Sequence, residues 1–376
     1  MGNDCLRILS ITSNDLGIAW GPAIHYLELW NELSRRFPNT KVTGISPTWT
    51  QKKEIIAPEF DSKNIAVPNI PSFRQLVYDI FVAVYIVRTR RIFDMRYIRV
   101  SHWHMLQIVV LWLFSMRFVI EMNGLATEDS KSAGASYFRK LIVQWQERWL
   151  VNNASGAIAV SQGIADSVAK RHRPGYRINV IKNGVSASFI RGGQSATVRV
   201  TNPVGIYVGT FTSWDGSAEI VELARCVPSV TFVMVGDGNR RMAIEATAPS
   251  NVQFVGTVDY VNLPAIYATA DFGIVLYEFE RHRNVKVSSL KTLEYVASKL
   301  PIFSTAISGQ EFVAEKGFGY LIAETESVQD GFKSFLSELP VFRQAYSRQP
   351  REYFDSLTWG RVALETHAVL ELTNNS

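Results

Sequence analysis

A pattern repeated along the chain constrains its fold most. A short apolar run leads into a turn of glycine or small polar residues, then into a longer stretch with apolar residues at helical spacing. "LRILSIT" (6–12) has the length and uniform apolarity of a strand buried on both faces, as in a parallel sheet. "NDLGIAWGPAIHYLELWNELSRRF" follows as a Gly-Pro loop opening a helix, because Ile24, Leu27, Trp30 and Leu33 recur every three residues. "KVTGISP" returns as a strand. Strand, loop, helix, strand is the grammar of a doubly wound α/β domain.

The pattern continues with "YIRVSHWHM", "RFVIEMNG" and "SGAIAVS" as strands and "QGIADSVAKRH" as a helix. "RINVIKNGV" reads as a strand closed by the turn pair Asn183-Gly184. "GGQSATVRVTNP" (192–203) reads as a linker, and a second α/β series starts there with "VGIYVGTF", "VTFVMVGDG", "NVQFVG" and "DFGIVLY" as strands. Two such domains in tandem place a cleft between them, where α/β ligand sites usually lie. Residues 354–372 read as an amphipathic helix with apolar Trp359, Val362, Leu364 and Val369, so a final helix is expected to pack on something.

Composition narrows the classes. Cys5 and Cys226 form neither a disulfide framework nor a metal-ligand spacing, which suits a reducing compartment. The start of the chain lacks a secretory pattern. Charge is uneven: through Ser195 there are 24 Lys and Arg against 14 Asp and Glu, so the basic excess belongs to the first half. Nucleic acid, anionic lipid or phosphorylated ligands could each use it. No helix-turn-helix, RNA-recognition or zinc pattern supports nucleic acid.

The 17 uncharged residues between Arg99 and Arg117 fall short of the ~20 that a membrane span needs, and they include His102, His104 and Gln107. A buried crossover helix is expected there. Basic and aromatic residues interleave at 73–99, with Arg88, Arg90 and Arg91, and at 137–150, with Trp145 and Trp149. Such helices suit an anionic membrane surface, and equally a solvated face over a buried stripe.

"SSLKTLEYVASKLPI" (288–302) places Lys291 and Glu294 on one helix face. Two readings stand. One is a serine-capped helix with a surface ion pair worth about 0.3 kcal/mol. The other is an anion grip: Ser288 and Ser289 offer hydroxyls and amides at the helix start, Lys291 reaches a diphosphate, and Glu294 accepts from ribose hydroxyls.

"SSLKTLEYVASKLPIFST" resembles the P-L-K-x-x-E-Y-x-A-x-G-x-P-V block of retaining glycosyltransferases of the GT-B fold, near glycosyltransferase family 4. "VIEMNGL", "AVSQGIADSV", "INVIKNGV", "VTFVMVGDG", "VQFVGTV" and "LPAIYATADFGIVLY" occur in that family's order. The resemblance spans most of 118–325 and is weaker before it. It implies two Rossmann-like domains facing across a cleft, an acceptor domain at 1–195 and a nucleotide-sugar domain at 196–353. A helix at 354–376 crosses back to the first domain. It assigns Lys291 to the donor phosphates and Glu294 to the ribose. The Gly209-Thr210 turn lies near the phosphates, Gly256 to Val258 lie against uracil or guanine, and Gly21 lets its loop approach the sugar or diphosphate.

This chain departs from the family in places. Relatives often carry a second glutamate eight residues before Glu294, where Lys286 stands here. Asp215 stands where a lysine is expected, which shifts the phosphate charge onto Lys291, with Lys286, Arg281 or Arg283. Asn123 replaces a common histidine, so a neutral amide positions substrate, flanked by Glu121 and Glu128; the resemblance makes Asn123, Glu121 and Lys291 the candidate catalytic residues. His25 is expected to pack.

The implied reaction is sugar transfer with retention, in which the enzyme stabilises the leaving diphosphate. The absence of an Asp-x-Asp triplet agrees with a metal-independent enzyme that needs no cofactor beyond its nucleotide-sugar co-substrate, UDP favoured over GDP. A lipid-linked or glycan acceptor and a peripheral place on the cytoplasmic face of the membrane are also implied. A GT-B nucleotide-sugar epimerase and a non-catalytic nucleotide-binding subunit are the rivals.

Overall fold

The apolar runs pair in parallel, as their lack of polar alternation requires. The computed structural model describes residues 5–18, 20–50, 55–126, 136–172, 175–192, 202–212, 215–282 and 288–375, without the side chains at 71, 72, 281 and 282. The chain divides into two units, Met1–Asn183 with Trp359–Ser376, and Gly184–Thr358. Most of the expected linker, and Glu128, Arg283 and Lys286, lie outside the described residues, as does the Arg281 side chain.

The first unit holds β1 (Leu6–Ile11), β2 (Thr40–Thr48), β3 (Asp61–Ala66), β4 (Met95–Arg99), β5 (Phe118–Met122), β6 (Gly156–Ala159) and β7 (Asn179–Val180). Their order is β3-β2-β1-β4-β5-β6-β7, all neighbours parallel. The second unit holds β8 (Val204–Gly209), β9 (Thr231–Gly236), β10 (Val252–Gly256), β11 (Phe272–Val275), β12 (Ile302–Thr305) and β13 (Gly319–Ile322) in the parallel order β10-β9-β8-β11-β12-β13. Strand order reverses beside β1 in the first sheet and beside β8 in the second, which makes their carboxyl ends the sites where an α/β sheet opens a ligand crevice. Ile8, Leu9, Ile11, Ile98, Ile120, Ile206 and Ile274 are fully buried. Each such side chain contributes about 1.5–3 kcal/mol.

Three elements differ from the sequence expectation. The final helix is two helices. Arg351–Asp355 stays with the second unit, where Lys299 Nζ lies 5.5 Å from the Phe354 ring. Trp359–Asn374 belongs to the first. The break falls where Thr358 pairs in a bridge with Val185. The apolar run forms a helix, Met105–Leu113, that buries only one side; Trp112 is 65% and Leu113 60% exposed. No helix among the described residues is long and apolar enough to cross a membrane. Val328–Ser347, which the sequence did not announce, contains Pro340, ordinarily a helix breaker. The buried stripe of Phe332, Phe335, Leu339 and Phe342 offsets that cost.

The terminal helix packs along Gly21–Arg36. The His25 and Trp359 rings meet edge-on at 5.0 Å, Phe37 stacks on His367 at 3.6 Å, and His367 Nε2 lies 2.9 Å from Thr40 Oγ1.

In the second unit, Leu290–Ala297 lies against β11 and β12 and reaches β8 through Tyr295. The Tyr295 hydroxyl donates to Ile206 O at 3.2 Å and accepts from Val208 N at 3.1 Å. Its ring occupies the space where a Cβ on Gly273 would stand, 2.4 Å away. The ring is pinned at both ends, so it cannot yield. Gly273→Ala should therefore lower unfolding stability by about 1–3 kcal/mol in a denaturant melt, and an unchanged midpoint would show that the helix has slack.

Candidate active site

At the reversal point of the second sheet, Ser289 caps the helix: its hydroxyl accepts from Thr292 N at 3.3 Å and from the Tyr277 hydroxyl at 3.0 Å. The capping half of the first reading therefore holds, while the hydroxyl keeps its own hydrogen to donate. Ser288 beside it is partly exposed. The surface ion-pair half fails, because Lys291 and Glu294 are both drawn inward.

Lys291 Nζ sits 4.7 Å from the Tyr207 ring on β8 and 5.7 Å from the Tyr277 ring after β11. Cation–π contact of this kind is worth about 0.5–2 kcal/mol. Burial lowers the pKa of the ammonium, and the charges of Asp215 and Glu294 oppose that. No carboxylate among the described residues lies within ion-pair distance of Lys291. The half-buried cation is thus held by rings and left open to an anion.

Asp215 answers its own anomaly. Its buried carboxylate accepts from the Tyr207 hydroxyl at 2.7 Å, Thr212 N at 2.8 Å, Ser217 N at 3.1 Å and Ser217 Oγ at 2.7 Å. It braces the turn between β8 and the helix Ser217–Cys226 and fixes the Tyr207 ring beneath Lys291. At the same edge Gly209 ends β8 and Thr210 is exposed. Gly236 ends β9, where a Cβ would stand 1.9 Å from Gly209 O.

Glu294 is 5% exposed. The Tyr267 hydroxyl donates to its Oε2 at 2.9 Å, and Tyr260 lies near enough to favour the ionised form. Burial raises this carboxyl to about 7, with the two tyrosines and Lys291 pulling the other way. An ionised carboxylate still has lone pairs for two further hydroxyls. Tyr260 follows the β10 end, where Gly256 has φ +81° and Val258 is partly buried.

In the first unit, Gly21 begins a helix whose first turn has no side-chain cap; Ala23 N and Ile24 N both turn back to Trp20 O at 3.1 Å. Arg99, at the end of β4, donates to Pro22 O at 2.5 Å. Glu121, at the end of β5, is 1% exposed. It accepts from the Tyr97 hydroxyl at 2.8 Å, Asn123 Nδ2 at 2.7 Å and His25 Nε2 at 2.7 Å. Burial works to raise its pKa, but His25, Arg99 and Asn123 together outweigh it and hold the carboxyl far below the usual range. So enclosed, Glu121 orients its neighbours. Because a carboxylate only accepts, Asn123 must turn its NH₂ inward and its carbonyl oxygen away.

Sequence reading missed this hub. His25 does pack against Trp359, yet both its ring nitrogens are engaged, Nδ1 lying 2.8 Å from Asn183 Oδ1. Its one visible signal was a histidine on the inward face of an amphipathic helix. His104 is a fully buried structural residue, its Nε2 accepting from Ser101 N at 2.9 Å.

The helices Pro71–Arg88, Met105–Leu113 and Tyr137–Asn153 are neighbours. They expose Phe73, Phe81, Trp112, Leu113, Phe138 and Trp145. Arg88, Arg90 and Arg91 are exposed at one end, Arg90 lying 5.6 Å from the Phe114 ring. Trp149 is a correction: it is partly buried and stacks on Phe118 at 5.9 Å, so it belongs to the core and not to this face.

Residues 21–189 match the family model for Glycosyltransferase Family 4, and residues 202–338 match the one for Glycosyl transferases group 1. The chain is a glycosyltransferase with the two-domain GT-B fold. Among solved structures, it is similar to sucrose-phosphate synthase from Thermosynechococcus elongatus (TM-score 0.77, 16% identity, 99% of this chain and 100% of that one). It is also similar to HepE of Anabaena in complex with UDP (0.65, 15%, 97% and 100%). A third is a putative UDP-N-acetylglucosamine 2-epimerase from Listeria monocytogenes (0.61, 10%, 97% and 96%). No individual curated protein matches in sequence.

The Glu294 carboxyl holds its proton more tightly folded than unfolded, where it would lose it near pH 4.5. Its contribution to stability is therefore complete below about pH 4.5 and is lost as pH rises through about 7. Glu294→Gln keeps the shape and removes the titration. Between about pH 5 and pH 8 the melting temperature of wild type should fall more than that of the variant; parallel curves would refute the assignment.

Proposed function

We propose that the enzyme transfers a hexose-type sugar, with retention, from a nucleoside-diphosphate donor to a lipid-linked or glycan acceptor. The observation that carries this is Lys291: an ammonium at the sheet's reversal point, held on two tyrosine rings, with no carboxylate in ion-pair contact among the described residues. A diphosphate supplies the missing anion. Lys291 and the amides at the start of its helix stabilise charge as it develops on the leaving diphosphate, and no metal is needed for that. Glu294 accepts from the ribose, and the Gly256–Val258 loop faces the base. UDP is favoured because HepE, of the same fold, is described in complex with it. Asn123, its carbonyl turned outward by Glu121, holds a sugar hydroxyl on the acceptor side.

The first unit docks peripherally on the inner face of the membrane. Exposed aromatics on three adjacent helices beside Arg88, Arg90 and Arg91 match an anionic bilayer surface, where each arginine contributes about 1 kcal/mol. A second reading, a nucleotide-sugar epimerase, is favoured by the likeness to the Listeria protein. Incubation with a UDP-sugar separates them, since an epimerase converts the sugar with no acceptor present.

Calorimetry with UDP and GDP is the direct test. UDP should bind, and Lys291→Ala and Glu294→Ala should each weaken it at least tenfold without a matching loss of stability. Equal binding by wild type and variants would remove the donor site. With phosphatidylglycerol vesicles, replacing Arg88, Arg90 and Arg91 by serine should cut cosedimentation about a hundredfold; unchanged sedimentation would remove the membrane reading.

A further inference from the structure

We infer that Arg241 is a specificity-determining residue that selects a nucleobase with an oxo group at its edge far from the ribose, uracil or guanine, over one with an amino group there, cytosine or adenine. The inference rests on the donor-site reading above. Lys291 and Glu294 lie one helical turn apart on Leu290–Ala297, and Tyr260 stands near the Glu294 carboxyl. Val258 and Gly256 precede Tyr260 on the chain at the end of β10, the outermost strand. On the donor-site reading, the phosphates lie at Lys291 beside β8 and the base toward the end of β10. β10 lies two strand spacings from β8, roughly 10 Å.

Arg241 stands at the end of β10. It starts the short helix after β9, and its Nη1 lies 3.3 Å and its Nη2 4.0 Å from where a Cβ on Gly256 would be. Gly256 thus leaves room for the guanidinium to lie against its backbone, and its φ of +81° is one that side-chain-bearing residues rarely adopt. Glu245 Oε2 takes the Nε at 3.3 Å, which leaves the two Nη groups as the remaining fork. The side chain keeps 25% of its surface exposed, so a base can reach it. A guanidinium has donors only. It bonds O4 of uracil or O6 of guanine and cannot bond the amino group that cytosine or adenine places there. A site built to bond a polar group rejects an analogue that cannot complete the bond more strongly than an apolar pocket does.

The test is calorimetry of UDP, CDP, GDP and ADP with wild type, Arg241→Met, Arg241→Gln and Lys291→Ala. Wild type should bind UDP at least tenfold tighter than CDP. Arg241→Met keeps the stem without the fork and should bring that ratio close to one, chiefly by weakening UDP. Arg241→Gln can donate or accept and should also flatten it. Lys291→Ala should weaken all four without changing the ratio. If Lys291→Ala weakens UDP but Arg241→Met keeps the wild-type ratio, the donor site stands and the role of Arg241 is refuted. If none of the four binds wild type, or Lys291→Ala binds as well as wild type, the donor-site reading and this inference fall together.

Discussion

The second unit's site depends on one aromatic residue that touches no ligand position. Tyr295 fastens the Lys291 helix to β8 through a hydroxyl that both donates to and accepts from the strand backbone, and its ring fills the gap above Gly273. A helix so fixed cannot rotate. Lys291 is therefore held toward the Tyr207 face and Glu294 toward Tyr267. Asp215 adds the second constraint by bonding the Tyr207 hydroxyl and two backbone amides. That bond helps hold the buried Tyr207 ring in place under the ammonium.

The first unit solves a different problem with the same means. Glu121 is a carboxylate taken out of water, which is costly unless its lone pairs are filled. Tyr97, Asn123 and His25 fill them, and Arg99 supplies compensating charge. The outcome is an amide with a defined orientation at the end of β5. Two carboxylates, Asp215 and Glu121, thus act by fixing the groups around them.

The fold was legible because parallel strands buried on both faces leave continuous apolar runs, as "LRILSIT" and "VTFVMVG" do, and because the intervening helices keep a strict apolar spacing. β3 was not, since "DSKNIA" is a half-solvated edge with no such run. Of the site, Lys291 and Glu294 were legible as neighbours on one helix face. The buried hub was not, because its members are distant in sequence: His25 and Asn183 are 158 positions apart. Asp215 read as a misplaced charge, since nothing in "TFTSWDG" reveals four donors converging on it.

The return of Trp359–Asn374 to the first unit sets the order in which the protein can be completed during synthesis. The second unit lies wholly within Gly184–Thr358, and its ends meet in the Val185–Thr358 bridge. It has every residue it needs before the terminal helix leaves the ribosome. The first unit, although made first, must wait with the flank of Gly21–Arg36 uncovered, His25 and Phe37 lacking Trp359 and His367. Domains generally fold from the amino terminus onward. Here the last helix belongs to the first-made unit, so the flank beside His25 cannot be covered until Trp359–Asn374 has been made.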